Sequence, residues 1–157
     1  MIQRKQTLFL FLSIVSLLLI VFTPIAKYYG DFSYTLKLFS FEAMSETLGK
    51  VFSPIFNLPL IIIWALSILI SFITIFLYKK RSLQMKMISI AIGLVMVFML
   101  LIFIYYTPKV EATLSVSTDY AKCIGIYLPI VSFIFLILAY RGVRKDDKLV
   151  KSLDRLR

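Results

Sequence analysis

Few residues of this chain have the type and spacing to do chemistry. Ser115 and Ser117 would need a general base to become nucleophiles, and the 157 residues include no histidine. A Ser–His hydrolase is therefore excluded. Asp146 and Asp147 form a carboxylate pair, but they lie in a strongly basic stretch. Their expected role is a solvated helix face that neutralises neighbouring cations. Cys123 is the single cysteine, so no intramolecular disulfide can form. Without histidine, and with one thiol, the commonest ligands for zinc, haem and iron–sulfur clusters are missing. The sequence implies no cofactor, no metal and no enzyme.

The remaining polar groups of interest lie within apolar runs: Ser13, Ser16, Ser67, Ser71, Thr74, Ser89 and Ser132. Each hydroxyl can bond the carbonyl one turn back, so helix packing is their expected role. Ser67-x3-Ser71 and Ser89-x3-Gly93 are small-x3-small patterns, which allow close approach of helices. Counting outward from the turn between them, Ser71 falls level with Gly93 or its neighbours, and Thr74 with Ala91. Direct contact across Ser67, Ser71, Ser89 and Gly93 is the expectation.

What holds these residues is a set of four stretches without any charge: Gln6–Ala26, Val51–Tyr78, Met87–Pro108 and Cys123–Tyr140. A helix needs about 20 mostly apolar residues to cross a bilayer. The composition is 61% hydrophobic, against roughly 45–50% in a soluble domain. Mean hydropathy is +0.93. The fold expected is an all-α integral membrane protein, four transmembrane helices in an antiparallel bundle, with spans near 7–27, 60–78, 87–106 and 121–141. Residues 142–157 form a cytoplasmic amphipathic tail. The connections are too short for a second domain. No Asp, Glu, Lys, Arg or His falls inside the four charge-free stretches, and such residues within the membrane are the default mark of ion paths and proton relays. That argues against a proton-coupled carrier or pump complete in one chain.

The net charge of +10 is sorted by side. Arg4, Lys5, Lys79, Lys80, Arg81, Lys86, Arg141, Arg144, Lys145, Lys148, Lys151, Arg155 and Arg157 share the side of both termini. Only Lys27, Lys37, Lys50, Lys109 and Lys122 lie opposite, balanced by Asp31, Glu42, Glu46, Glu111 and Asp119. Cytoplasmic segments are enriched in Lys and Arg, so both termini are expected in the cytoplasm. Tyr28, Tyr29, Tyr105, Tyr106 and Tyr120 at outer ends, and Tyr78 and Tyr140 at inner ones, suit the two interfaces.

The basic start before the first apolar run also fits a secretory leader. That run exceeds a usual leader core of about 7–15 residues and lacks a small-x-small cleavage site near Ala26. A retained anchor is expected. Pro59 falls near the first turn of the second span, while Pro129 should kink or unwind the fourth. The outer connections include Asp31–Phe41 and Glu111–Thr118, both with partial alternation, which could pair as strands over the bundle mouth. Interfacial loops, or a short amphipathic helix over Glu42–Lys50, are the simpler expectation.

Lys145–Arg157 carries design that spanning does not require. Leu149, Leu153 and Leu156 are spaced i, i+4, i+7 and form one stripe, flanked by Arg144, Lys145 and Arg155. Asp147–Lys151 is a favourable i, i+4 pair. The segment reads as an amphipathic helix that lies on the membrane or docks on a protein, against the plainer reading of a positive clamp. Nucleic acid is disfavoured because no stacking aromatics interleave the cations.

Both ends of the chain resemble an uncharacterised bacterial family of small four-span membrane proteins, domain of unknown function 4293. The start Met1-Ile-Gln-Arg-Lys-Gln-Thr7 is similar to its MIQR opening, one apolar residue, then Q and T or S. Lys5 departs from that apolar residue. Gly125-Ile-Tyr-Leu-Pro129 resembles GxYLP, and Arg144–Arg157 resembles RKDxxLVxSxDRxR. The resemblance implies four helices, an inner-membrane location and an uncleaved N-terminus. It implies no activity.

The expected function is that of an accessory or scaffold subunit of the inner membrane, docking a protein partner through its basic cytoplasmic ends. The alternative is a small lipid- or solute-handling transporter acting through the bundle interior. The lipid bilayer is the other expected partner. Oligomeric state stays open.

Overall fold

The computed structural model describes residues 3–29, 33–43, 54–119 and 123–154. Helix α1 (Gln3–Leu19) runs into a 3₁₀ turn at Ile20–Phe22. Three short strands follow: β1 (Ala26–Tyr29), β2 (Ser33–Leu36) and β3 (Phe41–Ala43). Helix α2 spans Leu58–Phe76, with Pro59 in its first turn, where no amide donor is required. After a tight turn, α3 (Arg81–Leu100) passes through a π-helical segment, Leu101–Tyr106, into α4 (Thr107–Leu114). Strand β4 (Ser117–Asp119) precedes α5 (Tyr127–Asp154).

The helices α1, α2, α3 and α5 form a closed ring, α1 packing on α2 and α5, and α3 packing on the same two. Each adjacent pair is antiparallel, because the connections alternate between the two ends. The buried stripe of α3 is Gln84, Ile88, Ala91, Val95 and Phe98, steps of three and four residues that keep one helical face inward. It continues as Ile102, Tyr106 and Val110. These last steps are all of four, suited to the wider π turn. In α2 the buried residues after Leu60 are Ser67, Ser71 and Thr74. Small side chains let neighbouring backbones come close.

Ile55–Phe76, Arg81–Leu114 and Ile124–Asp147 are each long and apolar enough to cross a membrane. Gln6–Phe22 is a shorter apolar helix. In the three long helices only 22–33% of the most apolar window is buried inside the protein. Outward apolar surface on that scale points to a membrane protein.

Several expectations are corrected. The outer connections do form strands: a four-stranded antiparallel sheet in the order β3-β2-β1-β4 caps one end of the ring. Tyr28 on β1 pairs with Tyr34 on β2 and with Thr118 on β4. Alternation decides this, since Ala26, Tyr28, Tyr34 and Leu36 turn inward and are buried. The sequence Glu111–Leu114 is helical instead, so only the end of the alternating stretch joins the sheet. Glu42 and Ala43 belong to β3, and the rest of the expected helix over Glu42–Lys50 lies outside the described residues. Within β3, Glu42 accepts from Lys37 Nζ (2.8 Å) and Ser40 Oγ (2.8 Å). Those two bonds, Lys37 first, hold its carboxyl below the ordinary range.

The first apolar helix stops at Phe22, and Lys27, expected at its end, sits in β1. The third continues past Pro108. The missing amide of Pro108 falls at the start of α4, and Thr107 bonds the Ile102 carbonyl through both its amide and its hydroxyl, the latter at 2.9 Å. The π turn absorbs the proline without breaking the helix. Pro129 does not kink α5 either. It occupies the first turn, after a 3₁₀ turn at Ile124–Ile126. There its lack of an N–H costs nothing.

Candidate functional site

The functional candidate is the end of the ring opposite the sheet, where the chain's basic segments meet. Gln6, in the second turn of α1, is buried and its amide Nε2 donates to Asp146 Oδ2 on α5. Gly142 lies one turn before Asp146. A Cβ there would come within 2.9 Å of Gln6 Cγ, so the glycine makes room for the glutamine. Arg81, the first residue of α3, donates from Nη1 to the Asp146 backbone carbonyl at 3.2 Å. Gln84 Nε2 donates to the Thr74 carbonyl of α2 at 3.3 Å. All four helices of the ring are thereby tied at this end.

Asp146 is 7% exposed, and its Oδ1 has no hydrogen-bond partner among the described residues. This corrects the reading of Asp146–Asp147 as a solvated face. The helix angle between successive residues is about 100°, so one of two adjacent carboxylates can be buried while its neighbour faces a groove. Asp147 does line such a groove, with Tyr78, Lys80, Arg81, Ser82, Leu83, Lys86 and Val150. Its volume is about 690 Å³.

The expected packing set divides. Ser67 and Ser71 are buried, with hydroxyls bonded to Ile63 O (2.7 Å) and Ser67 O (2.8 Å) of their own helix. Ser89 is exposed, bonding Met85 O at 3.1 Å. Gly93 is exposed, and a Cβ on it would meet nothing within 4 Å. Ser71 and Gly93 therefore do not face one another. Thr74 and Ala91 are both buried, and the inward face of α3 carries Gln84, Ile88 and Ala91, of which Gln84 bonds α2 at the Thr74 carbonyl, while Ser89 and Gly93 lie on the exposed side. A further polar contact between helices, a pairing the sequence did not suggest, joins Ser13 Oγ to Ser132 Oγ at 2.9 Å.

In the tail, Arg144 and Lys145 are exposed and Leu149 is half exposed. The side chain of Leu153, with Arg155 and Leu156, lies outside what is described. Sequence reasoning missed Gln6, Arg81, Gln84 and Gly142 as site residues. The signal available locally was a glycine, Gly142, one turn before Asp146.

Residues 2–156 match the family described as Domain of unknown function (DUF4293). The chain belongs to this family. No curated protein and no solved structure matches it. Two of the DUF4293 motifs meet in space through one residue each, since Gln6 comes from the opening motif and Asp146 from the closing one. Gly125, of the third motif, has its own structural reason. Its amide bonds Pro24 O at 3.0 Å, and a Cβ there would fall 2.4 Å from that backbone oxygen.

Proposed function

We propose that this protein is an inner-membrane accessory or scaffold subunit, with both termini in the cytoplasm and a partner protein docked on its basic end. The observation that carries the reading is α5. It is one helix of 28 residues, Tyr127–Asp154, about 42 Å long at roughly 1.5 Å per residue. A hydrocarbon core is about 30 Å thick, so the segment with exposed Leu149 and Val150 stands beyond it. Gln6 and Arg81 clamp that segment at its base. A projecting, anchored helix is suited to docking because little order is left to impose on binding.

In this reading Gln6–Phe22 is a fourth span, at the short end of the range of about 17–25 residues. The sorted cations set the orientation. The interior supports scaffolding over transport: Ser13 bonds Ser132, while Ser16, Ser67, Ser71 and Thr74 bond carbonyls of their own helices. Those hydroxyls are engaged in packing.

The test is recovery of a protein complex in mild detergent. Leu153→Asp should abolish recovery, and Leu149→Asp should weaken it, while doubling the salt has a modest effect. Recovery that survives Leu153→Asp but is lost in salt would make the tail an electrostatic anchor and end the docking reading.

A further inference from the structure

We propose that the groove between the α2–α3 turn and α5 binds the phosphate of an anionic phospholipid headgroup. This goes beyond partner docking and does not rest on it. The positive-inside rule explains why cations lie on this side of the molecule. It does not explain why three of them, Lys80, Arg81 and Lys86, converge on one cavity of about 690 Å³.

The start of α3 gives the second argument. Its N-cap is Lys80, which makes no side-chain capping bond, and its first turn has no acidic residue. The first helical bond runs from the Gln84 amide to Lys80 O (2.9 Å), leaving the amides of Arg81, Ser82 and Leu83 ahead of it without helical acceptors. A helix N-terminus carries partial positive charge and disfavours basic residues. Here it is lined by them. Cations outnumber the one lining carboxylate, Asp147, so the arrangement favours a further anion, and a phosphate suits helix N-termini. Arg81 is already oriented, since one of its N–H groups is bonded to Asp146 O. A guanidinium held this way loses little freedom on taking a phosphate oxygen. Asp147 is the anion among the lining residues, and it leaves the cations in excess.

The groove's position favours lipid over free phosphate. Its residues fall where the apolar segments Ile55–Phe76, Arg81–Leu114 and Ile124–Asp147 end or begin, the level of headgroups. Its rim includes Tyr78, Leu83 and Val150, all exposed apolar side chains. A glycerol backbone and the first methylenes would cover them, whereas inorganic phosphate would leave them in water.

The test uses the full chain in neutral detergent and fluorescent phosphatidylglycerol, with fluorescent phosphatidylcholine as the uncharged probe. Lys80→Gln/Lys86→Gln should weaken phosphatidylglycerol binding by about tenfold or more, the loss expected when charge-assisted hydrogen bonds to a phosphate are removed. Arg144→Gln/Lys145→Gln, which removes two exposed cations outside the groove and so without a direct bond to the phosphate, should change it by less than about twofold. Phosphatidylcholine should bind weakly, and inorganic phosphate should not displace the lipid. Equal losses in both double variants would overturn the proposal in favour of diffuse surface charge. Displacement by inorganic phosphate would overturn it in favour of a free anion. Because a variant could fail to fold, lysine acylation of the unaltered chain gives a second reading. Phosphatidylglycerol should protect Lys80 and Lys86 but not Lys145, and equal protection of all three would overturn the proposal.

Discussion

Gln6 and Asp146, 140 positions apart in sequence, meet in a buried hydrogen bond that ties the start of α1 to the end of the ring in α5. Gly142 permits the approach, and Arg81 holds the same residue through its carbonyl. One aspartate thus links three helices. Its burial is tolerable because the partner is an amide donor, yet Oδ1 stays unpaired among the described residues.

That imbalance predicts different outcomes for two substitutions. Asp146→Ala leaves the Gln6 amide buried without an acceptor and should cost about 1–3 kcal/mol. Asp146→Asn keeps an acceptor for Gln6 and removes a buried charge, so stability should fall by less than about 1 kcal/mol or rise. Thermal unfolding in detergent distinguishes them. Equal destabilisation by both would show that charge, and not the hydrogen bond, is what matters.

Gly125→Ala is predicted to be among the more damaging single-methyl changes. The added Cβ would lie 2.4 Å from the Pro24 carbonyl oxygen and 2.8 Å from its carbon. Backbone cannot swing aside as a side chain can, so the Gly125–Pro24 hydrogen bond must break. Overpacking of this kind costs about 1–3 kcal/mol. A melting temperature unchanged in Gly125→Ala would mean that the α5 entry does not pack on Pro24.

The α2–α3 contact gives a contrast between two small residues. Gly93→Leu should be silent or mildly stabilising, because nothing lies within 4 Å of the added Cβ and glycine costs a helix up to about 1 kcal/mol. Ser71→Leu, at a fully buried position, should destabilise by about 1–3 kcal/mol. The reverse order would restore the Ser71–Gly93 interface that the structure replaces.

How much of this was legible differs by element. Charge-free length showed the apolar helices, because backbone amides and carbonyls in an apolar setting must be satisfied within the segment. The partner faces were less legible. Ser89 and Gly93 repeat at helical spacing just as Ile88, Ala91 and Val95 do, and small size alone cannot tell a packed face from an exposed one. The sheet was half legible: alternation in Asp31–Phe41 was visible, but its strand β2 pairs with β1, whose other edge is covered by Ser117–Asp119, far along the chain. Asp146 was misread because local composition predicts solvation, while its burial depends on Gln6, which no local window contains.

The last prediction concerns orientation, on which the docking proposal depends. In a Cys123→Ala background, cysteines at Ser40 and Ser117 should react with an impermeant thiol reagent added from outside, and one at Ser82 should react only after the membrane is opened. The structure supports the choice of sites. Ser117 is exposed on β4 and Ser40 is in the β2–β3 turn beside the sheet, while Ser82 is exposed at the other end of the ring on the basic groove. Cys123 is fully buried and its thiol lies 3.5 Å from Asp119 O, so the alanine removes that contact and leaves a space of one sulfur atom. External labelling of Ser82 would place Lys80, Arg81 and Lys86 on the wrong side for a cytoplasmic partner. Labelling of all three sites from outside would show a chain that does not cross the bilayer between them. Protection of Ser82 alone fits an odd number of crossings between Ser40 and Ser82 and between Ser82 and Ser117, which is the alternation that the antiparallel ring requires.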